Sequence, residues 1–359
     1  MLDDFVTFGR SGLRVSRYAL GAFNFGGTAR WSVDAESSQA MIARYRELGG
    51  NFIDAANIYG GGGAETIIGS YLAATPGSRE QLVIASKFGG STRPGDPNAG
   101  GGGRKAIVQA CEASLARLKT DRIDLYWMHL WDCLTPIEET LRALDDLVRA
   151  GKVLHIGLSN FPAWKTTEAV MLAQFRDYAP IAGLQLQYSL LERNIETELV
   201  PMAEGFGLGI AAWSPLKSGA LSGRYRRDTP ATADGEGRAS FVARALDERS
   251  LSVLDEVIRV AERHAIPPAH VALAWLQAQP RVQMILMGPS SITQLEENAA
   301  ASRVVLDPED IAALDAVSKP PLPYPADFAR RSHSSVSGGA TINGVVVNNG
   351  AGAPGSRAR

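Results

Sequence analysis

The chain has 359 residues, 45% of them hydrophobic and 21% charged, with a formal net charge of −2. That length suits one α/β barrel, typically about 250 residues before insertions, and the near-neutral balance excludes a general attraction to nucleic acid or to an anionic membrane. Two cysteines, Cys111 and Cys133, cannot form a disulfide framework and lack metal-ligand spacing, so no metal is expected and both read as buried small hydrophobes.

The N-terminus, Met1-Leu2-Asp3-Asp4-Phe5, has neither a basic region nor a long apolar run, and no segment approaches the roughly 20 apolar residues of a membrane span. A cytoplasmic location is the expectation. Residues 5–16 carry two short apolar runs around Gly9-Arg10-Ser11-Gly12, which predicts a hairpin plugging one end of a barrel. From there, short apolar or β-branched runs alternate with stretches of helical spacing. The predicted strands are Tyr18–Gly21, Phe52–Asp54, Leu82–Lys87, Ile123–His129, His155–Ser159, Leu184–Gln187, Ile210–Trp213 and Met284–Met287. The clearest helix spans Pro136–Ala150: Thr135 is its expected cap, Pro136 opens its first turn, Glu138 and Glu139 favour its positive end, and Gly151 stops it. Leu141, Leu144, Leu147 and Val148 form its apolar stripe.

Strict βα alternation implies a parallel sheet, and eight units suggest closure into a (β/α)8 TIM barrel, although strand counting alone leaves an open doubly wound sheet as the other option. Residues 216–240, rich in Gly, Arg, Asp and Thr, form a long loop after the seventh strand, a length that in compact domains usually carries function. The domain reading is residues 1–326 for the barrel and 327–359 for a tail rich in Gly, Ser and Asn. The tail reads as mostly disordered, except that Thr341-Ile342-Asn343-Gly344-Val345-Val346 is a hairpin pattern with Asn-Gly for the tight turn.

Polar residues fall where strands end, and in a parallel barrel that is where active sites lie. The second strand ends in Asp54, with Tyr59 five residues on; the third ends in Lys87 and the fourth in His129. Each has an ordinary reading alone: a helix cap, a surface aromatic, a snorkelling lysine, a hydrogen-bonded core histidine. Together at one mouth they fit carbonyl reduction. A phenol near pKa 10 is a weak acid at neutral pH, and an adjacent ammonium favours its phenolate. Tyr59 is then the general acid, Lys87 tunes it, Asp54 pairs with the buried Lys87, and His129 orients the carbonyl. Phe25, Trp31, Trp131 and Tyr188 are candidates for an aromatic substrate pocket or for core.

Three strings carry no chemistry. Gly207-Leu208-Gly209-Ile210-Ala211-Ala212 matches a dinucleotide fingerprint but precedes a strand instead of following one. Ser214-Pro215-Leu216-Lys217 has the Ser-x-x-Lys spacing without its companion motifs. Gly101-Gly102-Gly103-Arg104-Lys105 lacks Walker spacing.

With these residues placed, the sequence closely resembles the aldo-keto reductase family over about Phe5 to Ala326. Asn51-Phe52-Ile53-Asp54-Ala55-Ala56-Asn57-Ile58-Tyr59-Gly60 resembles the segment bearing the family's catalytic Asp and Tyr. Ala85-Ser86-Lys87 is similar to the Lys strand, and Asp121 through His129 to the His strand. Gly151-Lys152-Val153 through Gly157-Leu158-Ser159-Asn160-Phe161 is a further shared signature. The resemblance implies a complete tetrad of Asp54, Tyr59, Lys87 and His129, and a nicotinamide cofactor. Ser159, Asn160 and Gln187 would hold its carboxamide and Trp213 would stack on its ring. Ser214, Pro215, Leu216 and Lys217, followed by Ser222 and Arg224, resemble the pyrophosphate-covering loop of the branch that includes the potassium-channel β subunits. Arg238 resembles that branch's adenosine-contacting arginine. Gly288, Ser290, Gln294, Glu297 and Asn298 resemble the segment that binds the adenosine end. Ser290 stands where many members carry an arginine for the 2′-phosphate. Lys217, Arg224 and Arg238 offer compensating charge, so NADPH is expected ahead of NADH.

The partner implied is a small aldehyde or ketone, with no nucleic acid or membrane, and the sequence is compatible with a homo-oligomer. Two other readings stand beside this one. One is a Schiff-base aldolase with Lys87 as nucleophile, which would leave Asn160, Gln187 and Trp213 without a role. The other is a non-catalytic nicotinamide sensor that regulates a partner protein.

Overall fold

A computed structural model describes residues 1–229, 242, 246–338, 340–342 and 345–346. Chain contacts divide it into two compact units, Met1–Ser318 and Lys319–Arg359.

In the first unit, eight parallel strands close into a barrel: β3 (Tyr18–Gly21), β4 (Phe52–Asp54), β5 (Val83–Phe88), β6 (Ile123–Met128), β7 (Val153–Ser159), β8 (Ile181–Gln187), β9 (Gly209–Trp213) and β10 (Val282–Met287). The seam pairs β10 with β3, setting Met287 against Leu20. The strands are buried on both faces, so they read as continuous apolar runs rather than as alternations. This is the predicted (β/α)8 barrel, and the open sheet is excluded. Four strands begin one to three residues earlier than predicted: β7 takes in Val153 and Leu154 ahead of His155, and the ladder runs on through Gly183, Gly209 and Gln283, residues that do not extend an apolar run. The third strand runs one residue beyond Lys87, and the fourth stops one residue before His129.

Helices pack outside the barrel: α1 (Ala35–Glu47), α2 (Gly63–Ala74), the single turn α3 (Ser78–Gln81), α4 (Arg104–Leu118), α5 (Ile137–Arg149), α6 (Ala163–Phe175), α7 (Leu199–Phe206), α8 (Glu248–His264), α9 (Pro268–Gln277), α10 (Ile292–Ala300) and α11 (Pro308–Ser318). In α5 the stripe of Leu141, Leu144 and Leu147 is buried, while Val148 is half-buried, each full burial contributing about 1.5–3 kcal/mol. Thr135 does not cap this helix. Its hydroxyl donates to Asp132 Oδ2 at 2.6 Å, and Pro136 occupies the cap position without a side-chain bond. The stop at Gly151 stands, with φ of 71°.

The predicted N-terminal hairpin is present: β1 (Phe5–Thr7) pairs antiparallel with β2 (Arg14–Ser16). It seals the end of the barrel opposite the strand C-termini. Phe8 is fully buried, edge-on to Trp127 with centroids 5.9 Å apart. Gly9 is required at the contact: its φ is +59°, and a Cβ there would lie 2.0 Å from the Ala182 carbonyl oxygen. Inside, Phe8, Phe52, Ala85, Leu125, Trp127, Ala211, Met284 and Leu286 form one apolar cluster.

Cys111 is buried as expected, but Cys133 is exposed, on the loop that follows His129. Among the described residues no helix is long and apolar enough to cross a membrane.

The second unit is more regular than its composition suggests. A helix, α12 (Ala326–Ser337), runs where disorder was expected, with an Asp327–Arg331 ion pair of 2.9 Å at the spacing of one helical turn. The hairpin reading holds in its strands: Thr341–Ile342 pairs antiparallel with Val345–Val346.

Candidate active site

Three side chains that the sequence spreads over 34 residues meet at one end of the barrel. Lys87 points inward from the end of β5 and is fully buried. Its ammonium donates to Asp54 Oδ2 from the neighbouring β4, to the Ala55 carbonyl at 2.9 Å and to the Tyr59 hydroxyl at 3.0 Å. Parallel pairing of β4 with β5, Asp54 opposite Ala85, brings these strand ends together. Tyr59 opens a turn in which Gly60, Gly61 and Gly62 all take positive φ (57°, 63° and 94°), a run of left-handed backbone that side chains would resist.

His129 follows β6 and closes the fourth side. Its ring stands edge-on to Tyr59 at 5.8 Å, and Phe23 meets Tyr59 from another direction at 5.3 Å. The tetrad expected from the sequence is therefore assembled at the C-terminal mouth.

The charges decide what each group can do. Burial opposes charge on Lys87, but Asp54 and Tyr59 outweigh it and hold the ammonium's pKa above its ordinary value. Burial raises the Tyr59 phenol; Lys87 pulls it back down and Asp54 pushes it up, with a net rise. The resting phenol thus keeps its proton beside a permanent cation. Burial, and then the charge of Lys87, lower His129 to about 3. The ring is neutral at physiological pH, and its buried Nδ1 has no hydrogen-bond partner among the described residues.

This lowered value has a consequence for stability. Between about pH 6.5 and about pH 3 the unfolded chain binds a proton at His129 and the folded chain does not, so stability falls as pH falls through that window. His129→Gln should flatten part of the decline. Urea unfolding at pH 7 and pH 5 checks it, and an equal loss in both proteins would refute this account of His129.

A second set of residues adjoins the tetrad. Ser159, at the end of β7, is fully buried. Asn160 has φ of 57° and sits exposed above it. The Asn160 amide donates to Ser159 Oγ at 3.0 Å and to the His129 carbonyl at 2.9 Å, and its Oδ1 accepts from Trp213 Nε1 at 3.2 Å. Ser159, Asn160, His129 and Trp213 are thus one connected group. Gln187 lies at the end of β8, half-buried, opposite Trp213 in the ladder.

The glutamine that reaches the tetrad is another one. Gln185 is buried, opposite Ser159, and its Nε2 donates to Asp54 Oδ1 at 2.9 Å. Each carboxylate oxygen of Asp54 therefore has a donor. The sequence analysis named only Gln187, although Gln185 shares its parity on one strand and that alternation was the signal by which the deeper residue could have been found.

After β9 the chain bends through Ser214, with φ of 55°, past buried Pro215 and half-buried Leu216 into a short 3₁₀ segment, Lys217–Ser222. Lys217 Nζ donates to Glu192 Oε2 at 3.3 Å. The Ser222 hydroxyl donates to the Gly219 carbonyl at 2.6 Å. Arg224 is exposed and has no ion pair among the described residues. Arg238 lies outside the described residues. Beyond β10, Gly288 and Ser290 are exposed, and Ser290 donates through both N–H and hydroxyl to Gln294 Oε1 at 3.0 Å. Ser291 caps α10, which carries exposed Glu297 and half-buried Asn298. These two segments are distinct from the tetrad and flank the same mouth, at the ends of adjacent strands.

A search for related sequences matches the Aldo/keto reductase family across residues 17–319. The chain belongs to that family. Its aldo/keto reductase relatives include a norsolorinic acid reductase of Emericella nidulans, 34% identical over 85% of this chain and 79% of its own length. The uncharacterized oxidoreductase YrpG of Bacillus subtilis is 35% identical, over 87% of this chain and 95% of its own. A probable voltage-gated potassium channel subunit beta of Oryza sativa subsp. japonica is 34% identical, over 87% and 96%. The branch anticipated from the pyrophosphate-loop motif is represented among them. The aldo/keto reductase match ends within a residue of the compact barrel unit.

Of the aromatics considered for a substrate pocket, Phe25 and Tyr188 are core: Phe25 is fully buried, and Tyr188 packs edge-on to Trp275 and donates to Glu196. Trp131 instead meets Trp164, with centroids 5.4 Å apart, and Trp164 is 59% exposed. Phe23 and Trp164 were missed because an isolated aromatic next to Asn24 or Ala163 has no periodicity to mark it.

Proposed function

We propose that this aldo/keto reductase reduces an aldehyde or ketone to the alcohol with NADPH. The observation that carries the reading is the Tyr59 hydroxyl 3.0 Å from a buried Lys87 that is itself held by Asp54, beneath a neutral His129. A nicotinamide bound above Asn160 would supply the hydride. The residues suit that group: Asn160 is exposed at the mouth with an amide that can both donate and accept, as a carboxamide needs, Ser159 lies buried behind it, and the Trp213 ring is half-buried beside them.

As negative charge develops on the substrate oxygen, Tyr59 gives up its proton, and the adjacent Lys87 ammonium stabilises the phenolate that results. His129, neutral, donates one hydrogen bond to the same oxygen and fixes its orientation. Phe23 against Tyr59, with the Trp131–Trp164 pair on the segments that follow β6 and β7, would favour an aromatic carbonyl. The cytoplasm, with its reduced nicotinamide pool, is the proposed setting.

Among the expected phosphate ligands Lys217 is engaged with Glu192, which leaves Arg224 as the better 2′-phosphate partner in the described chain. Oxidation of NADPH and of NADH by a reactive aromatic aldehyde, followed in parallel by absorbance, tests the proposal. Faster turnover with NADPH supports it. Arg224→Ala should then raise the KM for NADPH about tenfold, the effect of losing one phosphate contact of about 1.4 kcal/mol, and leave that for NADH unchanged. Tight cofactor binding with no oxidation would favour the sensor instead.

A further inference from the structure

The acid pair is braced from outside the barrel. Strand β5 turns Lys87 inward and its neighbour Ser86 outward, beneath α2 and α4. Ser86 is fully buried, and its hydroxyl donates to Oε1 of Glu65, a carboxylate in the first turn of α2 that is itself fully buried. The other oxygen of Glu65 accepts from Arg117 Nε on α4 at 2.7 Å. Arg117 also reaches Ser114 Oγ at 3.4 Å and lies against Gly62, where a Cβ would come within 2.9 Å of its Cδ.

The buried Glu65 carboxylate, even paired with a partly exposed Arg117, is a costly way to fill space, since an apolar side chain of similar volume often stabilises as much or more. Its persistence here calls for a second role, and its position supplies one. Between Tyr59 and Glu65 the chain is Gly60-Gly61-Gly62-Gly63-Ala64, with almost no side chain to fix its shape. Within the turn only the backbone holds that shape, with Tyr59 N–H donating to the Ala56 carbonyl and Gly61 N–H to the Ile58 carbonyl, each at 3.1 Å. Glu65 ends the turn and is tied to the residue that precedes Lys87.

We propose that Glu65 is a positioning residue which, through Ser86 and Arg117, holds the Tyr59 turn so that the phenol stays within hydrogen-bonding reach of Lys87. The effect on rate rests on the reductase reading above; the geometric effect does not.

The test uses the full chain carrying Ser86→Ala, Ser86→Thr and Arg117→Met, each labelled with [¹³Cζ]tyrosine, the Tyr59 resonance being assigned by its loss in Tyr59→Phe. Ser86→Ala should displace that resonance and lower kcat for an aromatic aldehyde roughly tenfold or more, with KM nearly unchanged, since displacements of about 1 Å can cost 10²-fold. Ser86→Thr, which keeps the hydroxyl, should restore both. If Ser86→Ala does not fold, Arg117→Met cuts the other arm from a partly exposed position and should shift the same resonance. An unmoved Tyr59 resonance with unaltered kcat, whatever the melting temperature, overturns the proposal. A wild-type chain that turns over no aldehyde sinks the reductase reading alone, and the resonance still decides whether Glu65 positions Tyr59.

Discussion

Tyr59→Phe should reduce an aromatic aldehyde about 10²- to 10⁴-fold more slowly than the parent chain at saturating cofactor, the usual worth of a positioned general acid. The substitution removes one oxygen. Lys87 loses the 3.0 Å contact and keeps Asp54 and the Ala55 carbonyl, so the barrel has no new unpaired charge. The ring remains between Phe23 and His129. Cofactor affinity, read by fluorescence titration, should stay where it was, because no atom of Tyr59 belongs to the Ser159–Asn160–Trp213 group. The two readouts separate loss of the proton donor from loss of the site. Turnover within about threefold of the parent, far short of general-acid magnitudes, would remove Tyr59 from the mechanism.

Lys87→Met should be the most damaging single change, for stability as well as rate. It strips the ammonium from a fully buried pair and leaves the Asp54 carboxylate with Gln185 as its remaining side-chain donor. Orphaning one member of a buried ion pair costs about 3–5 kcal/mol, measurable as a lowered urea midpoint. The double variant Asp54→Asn with Lys87→Met removes both charges and should regain much of that loss, because the desolvated carboxylate is gone. Neither protein should turn over. If the single and double variants were equally destabilised, the cost would lie in packing and not in the uncompensated charge.

How much of this was legible in the sequence depends on the physical origin of each signal. The strands were legible because a sheet covered on both faces needs apolar residues at every position, and such runs survive small errors at their ends. The tetrad was legible because a parallel barrel places strand C-termini together, so Asp54, Lys87 and His129 at successive strand ends had to converge. What the sequence reading missed turned on a single competing partner, a residue's depth along a strand or the course of a loop. Thr135 has the right chemistry for a cap, but Asp132 competes successfully for its hydroxyl. Gln185 and Gln187 are indistinguishable by composition, and only the depth of each along β8 separates them. Cys133 looks like any small hydrophobe until the loop after His129 is seen to carry it outward. The helix Ala326–Ser337 was hidden by Ser-rich composition, which averages over the Asp327–Arg331 pairing that a position-by-position reading would have caught.

The hairpin that closes the far end of the barrel also bears on where, under the proposed mechanism, protons would come from. Below the layer of Asp54 and Lys87, Phe8, Phe52, Leu125, Trp127 and Met284 pack as one apolar cluster. On the proposed mechanism, the Tyr59 phenolate left by each turnover would not regain its proton through that apolar layer, and among the described residues the open path to it would be the mouth by which alcohol and cofactor leave. Reprotonation would then be tied to product departure: an alcohol lingering over Tyr59 would delay the next acid as well as block the next substrate.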